Sequence, residues 1–591
     1  MPTATRTDAF QRVASVADVT KIGLHTVYAD DQVIVLVYHE GQIYALDNRC
    51  PHMGFPLDKG SVADGILTCH WHHARFDLCT GGSFDLWADD TTRFPVEVRD
   101  GDVYVDATPH RPTSAQLKER LAVGLERNLS LVLAKGVISL VDEHDDTRIP
   151  FAAGLEFGTR YRMQGWGQGL TMLTCFQNLL PSLRAEDRSK ALTHGLAAVA
   201  TDTAGRSPRF LVAPLPGGSP QLLLLKQWFR RFVMVRDDEG AERCIVTALR
   251  AGASPQAMAD ILFSAATDYR YIDVGHPLDF TNKAFEALDI VGWEQAELVL
   301  TSLVPGYAAA RRMEESNAWR NPIDLIVLLQ DAFDQLPGAL TAGAGKRGSW
   351  QGRAALVPVL LEDDPQASIN GLLAALREGA SEVELAGAVA YAAALRIARF
   401  HTSNEFGDWD TALHTFTFAN AVHQGLRRLD GYNAPDGYLL LLRGVFDGAM
   451  SVYLDRFLNI PAARLPLPTE RNGASPALPG LEGLLNQQQQ VNQAGNAVGD
   501  YLFRGGDAAE LRAELAGLLL REDRDFHTIQ SVEAAFRQHD LLVAEGADAD
   551  AVHVLVAAAR YLAAHSPTVR AQGQTFGIAR RLHRNEKLFE G

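Results

Sequence analysis

The sequence predicts a multidomain protein, a small all-β domain at the N-terminus followed by a large, mostly α-helical domain. Three observations lead there. A chain of 591 residues is longer than one hydrophobic core usually serves. Residues 10 to 107 alternate short β-branched and aromatic runs with turn signals, whereas the remainder is rich in alanine and leucine at helical spacing.

In chain order, Val33–Tyr38 and Ile43–Leu46 flank His39-Glu-Gly-Gln42, and Val96–Val98 and Val103–Val105 flank an Asp100-Gly101 turn, so both pairs read as hairpins. After Pro109-His-Arg-Pro112 the texture changes. Thr113-Ser-Ala-Gln116 is a capping box opening a helix at Leu117, which sets the domain boundary near residue 110. The β-domain is expected over 8–108 and the helical domain over 113–460. Lys226-Gln-Trp-Phe-Arg-Arg-Phe232, running into Val233-Met-Val235, reads as a strand with snorkelling ends. Ala386–Ala398 is too apolar all round for a surface helix and is expected inside the core. A proline-rich linker over 461–482 precedes a C-terminal helical region, 483–591, expected to pack on the same domain; Gln487–Gln490 within it is low-complexity.

Composition excludes several roles. A formal charge of −17 disfavours a nucleic-acid partner, which needs basic surface to displace counterions. No stretch approaches the roughly 20 apolar residues of a membrane span, and Met1–Phe10 has no apolar signal region, so a cytoplasmic location is expected. Five cysteines scattered over the chain do not form a disulfide framework.

Two of those cysteines carry the strongest motif. Cys50-Pro-His52 and Cys69-His-Trp-His72 are separated by sixteen residues and give the pattern C-x-H…C-x-x-H. Two thiolates suit one iron of a 2Fe–2S cluster and two neutral imidazoles suit the other, with one Cys/His pair on each of two loops. Zinc is the alternative, although zinc motifs generally pair Cys with Cys and His with His. With Asn48, Gly54, Pro56-Leu57, Gly60, Asp64-Gly65, Phe76-Asp-Leu78 and Thr80-Gly81, residues 8–107 resemble the Rieske 2Fe–2S family, of the ferredoxin and oxygenase type. The resemblance implies low-potential electron transfer through a cluster held by Cys50, His52, Cys69 and His72. One departure is His73, where the family usually has glycine; His70 is a further extra imidazole, and both are expected to be bystanders.

A Rieske cluster moves electrons and needs an acceptor. The Asp-x-x-His-x4-His signature of ordinary Rieske oxygenases is absent, and Asp410-x3-His414-x8-His423 has the wrong spacing. Instead, histidines stand in otherwise apolar helical text at His194, His276, His414 and His527. Any one of them would usually be a core residue. Three of their segments, Thr193-His-Gly-Leu196, Gly275-His-Pro-Leu-Asp-Phe280 and Leu413-His-Thr-Phe-Thr417, loosely resemble questin-oxidase-like enzymes, helical proteins whose non-heme iron is held by histidines, with a carboxylated lysine in some. That resemblance implies a mononuclear non-heme iron on His194, His276 and His414, with Lys283, His401, His423 and His527 as secondary candidates. Asp273 and Asp410 would orient rings from behind. For Lys283 the simpler reading is an ion pair with Asp279. His414 and His423, nine apart, point in opposite directions on one helix, so only one can reach the ion.

Gly343-Ala-Gly-Lys-Arg-Gly348 matches G-x-G-x-x-G but follows no strand, and nothing else resembles a nucleotide site. The electron donor is therefore expected to be an external ferredoxin or flavoprotein reductase. The function read from the sequence is an oxygenase whose cluster feeds an iron that activates O2 towards an apolar or aromatic small molecule. Its rival is a non-catalytic electron-transfer or redox-sensing protein with a helical interaction scaffold.

Overall fold

A computed structural model describes residues 9–108, 112–217, 221–468, 476–584, 586 and 588. Part of the expected boundary near residue 110 and part of the proline-rich stretch lie outside the described residues. The chain forms two compact units that are not simple segments: the described residues of Met1–Ala153, Leu192–Ala204 and Ala571–Gly591 make the first, and those of Gly154–Ala191 and Gly205–Arg570 the second. The first unit thus takes in the β-domain together with helical sequence from both beyond residue 113 and the C-terminus.

Ten strands build the β-domain: β1 (Phe10–Ser15), β2 (Leu24–Ala29), β3 (Gln32–His39), β4 (Gln42–Asp47), β5 (Ser61–Ala63), β6 (Ile66–Thr68), β7 (Arg75–Asp77), β8 (Arg93–Phe94), β9 (Val96–Arg99) and β10 (Asp102–Asp106). They form three antiparallel sheets, ordered β1-β10-β9, β2-β3-β4-β8 and β5-β6-β7. Both expected hairpins are present: His39 pairs with Gln42, and Asp102 with Arg99. β3 is buried on both faces. Ile34 and Leu36 join one core with Phe94 and Val103, while Val35 and Val37 join another with Leu57, Leu67 and Phe76. Each such buried side chain stabilises the fold by about 1.5–3 kcal/mol.

Beyond residue 113 the described residues form helices joined by loops, with no strand among them. The helices that position candidate residues are α1 (Ser114–Glu126), α2 (Gln168–Leu179), α3 (Ala185–Thr203), α4 (Leu222–Met234), α5 (His276–Val291), α6 (Glu382–Ala398), α7 (Asp408–Arg428), α8 (Leu442–Leu454) and α9 (Phe526–Ala544). The Thr113/Gln116 capping box forms as its sequence implies. α4 is a correction: the strand expected at Lys226–Val235 is a helix. Its apolar residues fall at helical intervals, with Leu225, Phe229 and Val233 buried, and Lys226 is buried too because Asp260 and Asp436 receive its ammonium. α6 is the axis of the second unit, with fifteen of its seventeen residues buried. Its run of alanines lets α7 approach closely on one side and α8 on another. Buried Arg396 is tolerated because its guanidinium reaches the carbonyls of Val452 and Leu361 and the Asn459 amide.

Two candidate metal centres

In the first unit, β4 leads into the loop carrying Cys50 and His52, and the turn between β6 and β7 carries Cys69 and His72. The two loops repeat one design. The N–H of Gly54 donates to Cys50 O (2.7 Å) and that of His73 to Cys69 O (3.0 Å); Cys50 N–H donates to Phe55 O (2.9 Å) and Cys69 N–H to Ala74 O (2.8 Å). Closing so tight a loop needs a left-handed residue at the fifth position: Gly54 has φ +79° and His73 φ +62°. That requirement is the physical reason glycine is usual there, and His73 meets it while pointing an exposed ring outward.

Four side chains converge between these loops. The rings of His52 and His72 lie 4.8 Å apart, and Trp87 packs edge-on against His52. Cys50 and Cys69 are buried free thiols in hydrogen-bond contact with each other; that bond draws Cys69 down to about 6 while it and burial push Cys50 well up. His52 is lowered to about 4 by burial and by His72, so it stands as neutral imidazole, and its Nδ1 is buried without a hydrogen-bond partner. A polar atom in that position is costly unless an ion receives it. The donor set of two thiols and two imidazoles, with an orphaned ring nitrogen among them, fits a mixed-ligand 2Fe–2S cluster. Beside it, the Lys135 ammonium reaches the carbonyl of Pro51 and pairs with Asp89.

In the second unit the structure brings together His276, His414 and His527, whose ligand atoms all lie within 4.8 Å of one another; it is the one such group of three among the described residues. His276 opens α5, His414 lies on α7 and His527 in the first turn of α9. Nε2 of His414 stands 3.0 Å from Nε2 of His527, and the His276 ring lies 4.9 Å from His414. Burial first, then the neighbouring rings, lowers His276 to about 3 and His414 to about 4, which keeps both neutral and their lone pairs available. The backbone carbonyl of Asp410, one turn earlier on α7, lies within reach of the His414 ring. Asp525 caps α9 through Thr528 N–H, and its carboxylate faces His527 Nδ1 at 3.8 Å. Tyr271, Asp273, Val274 and Gly275, immediately before His276, include four left-handed residues, three of them not glycine. Such strain persists only where the surroundings impose it. Here Arg311 clamps Asp273 at 2.8 Å through its side chain and accepts from Asp273 N–H at 2.8 Å.

The other candidates stand elsewhere. His194 is buried in α3 outside that group. His423 faces Gln538, and His401 bonds Ser403 at 2.6 Å. Lys283 is fully buried, but its ammonium sits between Glu533 (2.6 Å) and Glu286 (3.0 Å) and not against Asp279. Those two carboxylates outweigh the burial penalty and hold it protonated, with no lone pair for a metal. The Asp273 and Asp410 carboxylates are taken by Arg311 and by the Tyr561 hydroxyl (2.9 Å), so neither orients a ring. The carboxylate behind the site is Asp525, whose signal was its place directly before the Phe526-His527-Thr528 segment as an N-cap residue.

Residues 9–93 match the Rieske [2Fe-2S] domain. The chain is 35% identical to the 3-phenylpropionate/cinnamic acid dioxygenase ferredoxin subunit of Photorhabdus laumondii over 74 residues, which cover 12% of this chain and 70% of that protein. It belongs to the Rieske family. Human apoptosis-inducing factor 3 is 29% identical over 151 residues, 25% of this chain and 23% of that protein, so the chain spans about a quarter of that relative's length. A solved ferredoxin of carbazole 1,9a-dioxygenase from Nocardioides aromaticivorans matches at 24% identity and TM-score 0.16, covering 17% of this chain and 97% of its own. The family match ends at residue 93, short of the chain's larger, helical part. The Rieske domain carries a 2Fe–2S cluster and serves electron transfer. Among the described residues no helix is long and apolar enough to cross a membrane.

Proposed function

We propose that the protein is a Rieske-containing oxygenase, in which the cluster on Cys50, His52, Cys69 and His72 supplies electrons to a mononuclear non-heme iron held by His276, His414 and His527. The observation that carries this reading is the convergence of three histidine rings from three separate helices. Three histidines could equally hold zinc. A zinc ion accepts no electrons, whereas iron gives the Rieske domain an acceptor and leaves coordination positions open. When bound, that iron supplies dioxygen activation. The residues do the rest: Asp410 O and Asp525 orient the rings, and the clamp of Arg311 on Asp273 fixes the turn that aims His276. The substrate is an apolar or aromatic small molecule. An external ferredoxin or flavoprotein reductase delivers the electrons, and the acidic chain acts in the cytoplasm without nucleic acid.

Metal analysis of the purified protein tests the reading. About three irons per chain are expected, two from the cluster and one from the histidine site. Two irons per chain would leave a non-catalytic electron carrier as the better description.

A further inference from the structure

The second unit contains a cavity of about 540 Å³ on whose wall His414 lies. Its volume suits a small organic ligand. Val274, Met313, Trp319, Ile323, Leu325 and Phe457 make most of the wall apolar and partly aromatic. One patch differs. Tyr271, Thr415, Ser451 and Asp455 line the same cavity, and the last three come from α7, α8 and the turn that follows α8. The Tyr271 hydroxyl lies within reach of Thr415 and Ser451, and the Asp455 carboxyl within reach of Thr415. Even so, Ser451 Oγ and Asp455 Oδ2 are buried without a well-formed hydrogen bond, in residues only 2% and 4% exposed.

A buried acceptor left unsatisfied is unfavourable, and in an otherwise apolar cavity it becomes a point of selection. A ligand that brings a donor there gains a hydrogen bond in a low-dielectric surrounding. An anionic ligand is disfavoured by the apolar wall, which offers it no free cation. Arg456 also lines the cavity, but its guanidinium is paired with Asp363 and stacked on Tyr453 and Phe457. We infer that this cavity is the substrate site and that it selects a flat, uncharged aromatic molecule carrying one O–H or N–H donor, which Ser451 and the free oxygen of Asp455 read while the ring lies towards His414. The inference rests on the oxygenase reading for the role of His414, but not for the binding itself.

Equilibrium dialysis of the full-length protein against 2-naphthol, 2-naphthylamine and 2-methoxynaphthalene tests it, because the three share a ring system and the last lacks the donor. A donor-bearing probe is expected to bind about tenfold or more tightly than the ether. Preference for the naphthol assigns a hydroxyl ligand, and preference for the amine, likewise uncharged near neutral pH, an N–H ligand. Asp455→Leu, and independently the milder Ser451→Ala, should bring the probes towards equal affinity while ring binding persists. Thr411→Trp, at an exposed lining position, should abolish binding of all three. Equal affinities in the unaltered protein, or discrimination surviving both Asp455→Leu and Ser451→Ala, would overturn the inference. The same dialysis on His527→Ala separates it from the oxygenase reading: donor selection that persists in this variant upholds the cavity assignment without the third iron, whereas two irons per chain in the unaltered protein would remove only the oxygenase.

Discussion

The two centres hold their ligands in opposite ways. In the Rieske domain both candidate ligand pairs sit on short loops that end their own strands, and each loop is closed by its own backbone bonds, so twenty-three consecutive residues from Cys50 to His72 contain the whole candidate set. In the helical unit the three histidines come from α5, α7 and α9, and 251 positions separate His276 from His527. The first site is written into local chain geometry. The second exists only once the helices have packed, and depends on α6 and its neighbours to hold three helix faces together.

The contrast breaks most visibly by removing one ligand from each centre. Cys69→Ser should abolish the visible absorption of the cluster and remove two irons, leaving about one per chain. His527→Ala should do the reverse, losing one iron while the electron paramagnetic resonance of the reduced cluster persists. His194→Ala serves as the control. It should lower thermal stability, as truncation of a buried side chain does, and leave both iron pools intact. Loss of the third iron in His194→Ala, or its retention in His527→Ala, would mean that the histidines were assigned wrongly.

What the sequence made legible follows the same division. The candidate cluster motif, both hairpins and the Thr113 capping box are local patterns, each decided within a few residues. Even the departure at His73 has a local cause, a left-handed turn position. In the helical part, His276 and His414 were recognisable as histidines in apolar text, but so was His194, and nothing in a single segment tells which of several buried rings will meet. His527 was hardest to rank, since its segment begins at a cap and its first turn shares sequence with ordinary helix starts. Lys226–Val235 misled for a related reason: a continuous apolar run suits a strand or a buried helix equally, and only the Asp260 and Asp436 partners of Lys226 decide it.

A buried lysine sharpens the comparison because it tests whether the helical frame itself carries the cost. Lys283 neutralises Glu286 and Glu533, and Asn178 from α2 donates to both carboxylates at 2.7 and 3.0 Å. Lys283→Met should destabilise the helical unit by about 3 kcal/mol, because it leaves two buried carboxylates to Arg537, which lies 3.6 Å from Glu286 and 3.4 Å from Glu533. Adding Glu533→Gln should recover part of that loss. Helical circular dichroism followed on heating reports it, while the visible absorption of the cluster reports the Rieske domain in the same sample. A melt of Lys283→Met that matches the unaltered protein would show that these carboxylates are solvated or protonated, and not dependent on the lysine.

The smallest effect concerns the dependence of stability on pH. Asp279, one turn from His276 on α5, accepts from the Gln530 amide and is otherwise enclosed, so burial pushes its carboxyl from 3.8 up to about 7. Below pH 3.8 the folded and unfolded chains are both protonated at this site, and it contributes no pH dependence. Between 3.8 and about 7 the unfolded chain has lost a proton that the folded chain still holds, so this group makes stability fall as pH rises through that window. Asp447 and Asp455, also raised to about 7 by burial, add slopes of the same sign. Asp279→Asn keeps an acceptor for Gln530 and removes one titration. The fall in melting temperature of the helical unit between pH 5 and pH 7.5 should therefore be smaller in Asp279→Asn than in the unaltered protein, with the remainder carried by the other two carboxyls. An identical or steeper fall would mean that Asp279 is ionised in the folded protein at pH 5, with Lys283 as the nearest cation to stabilise it.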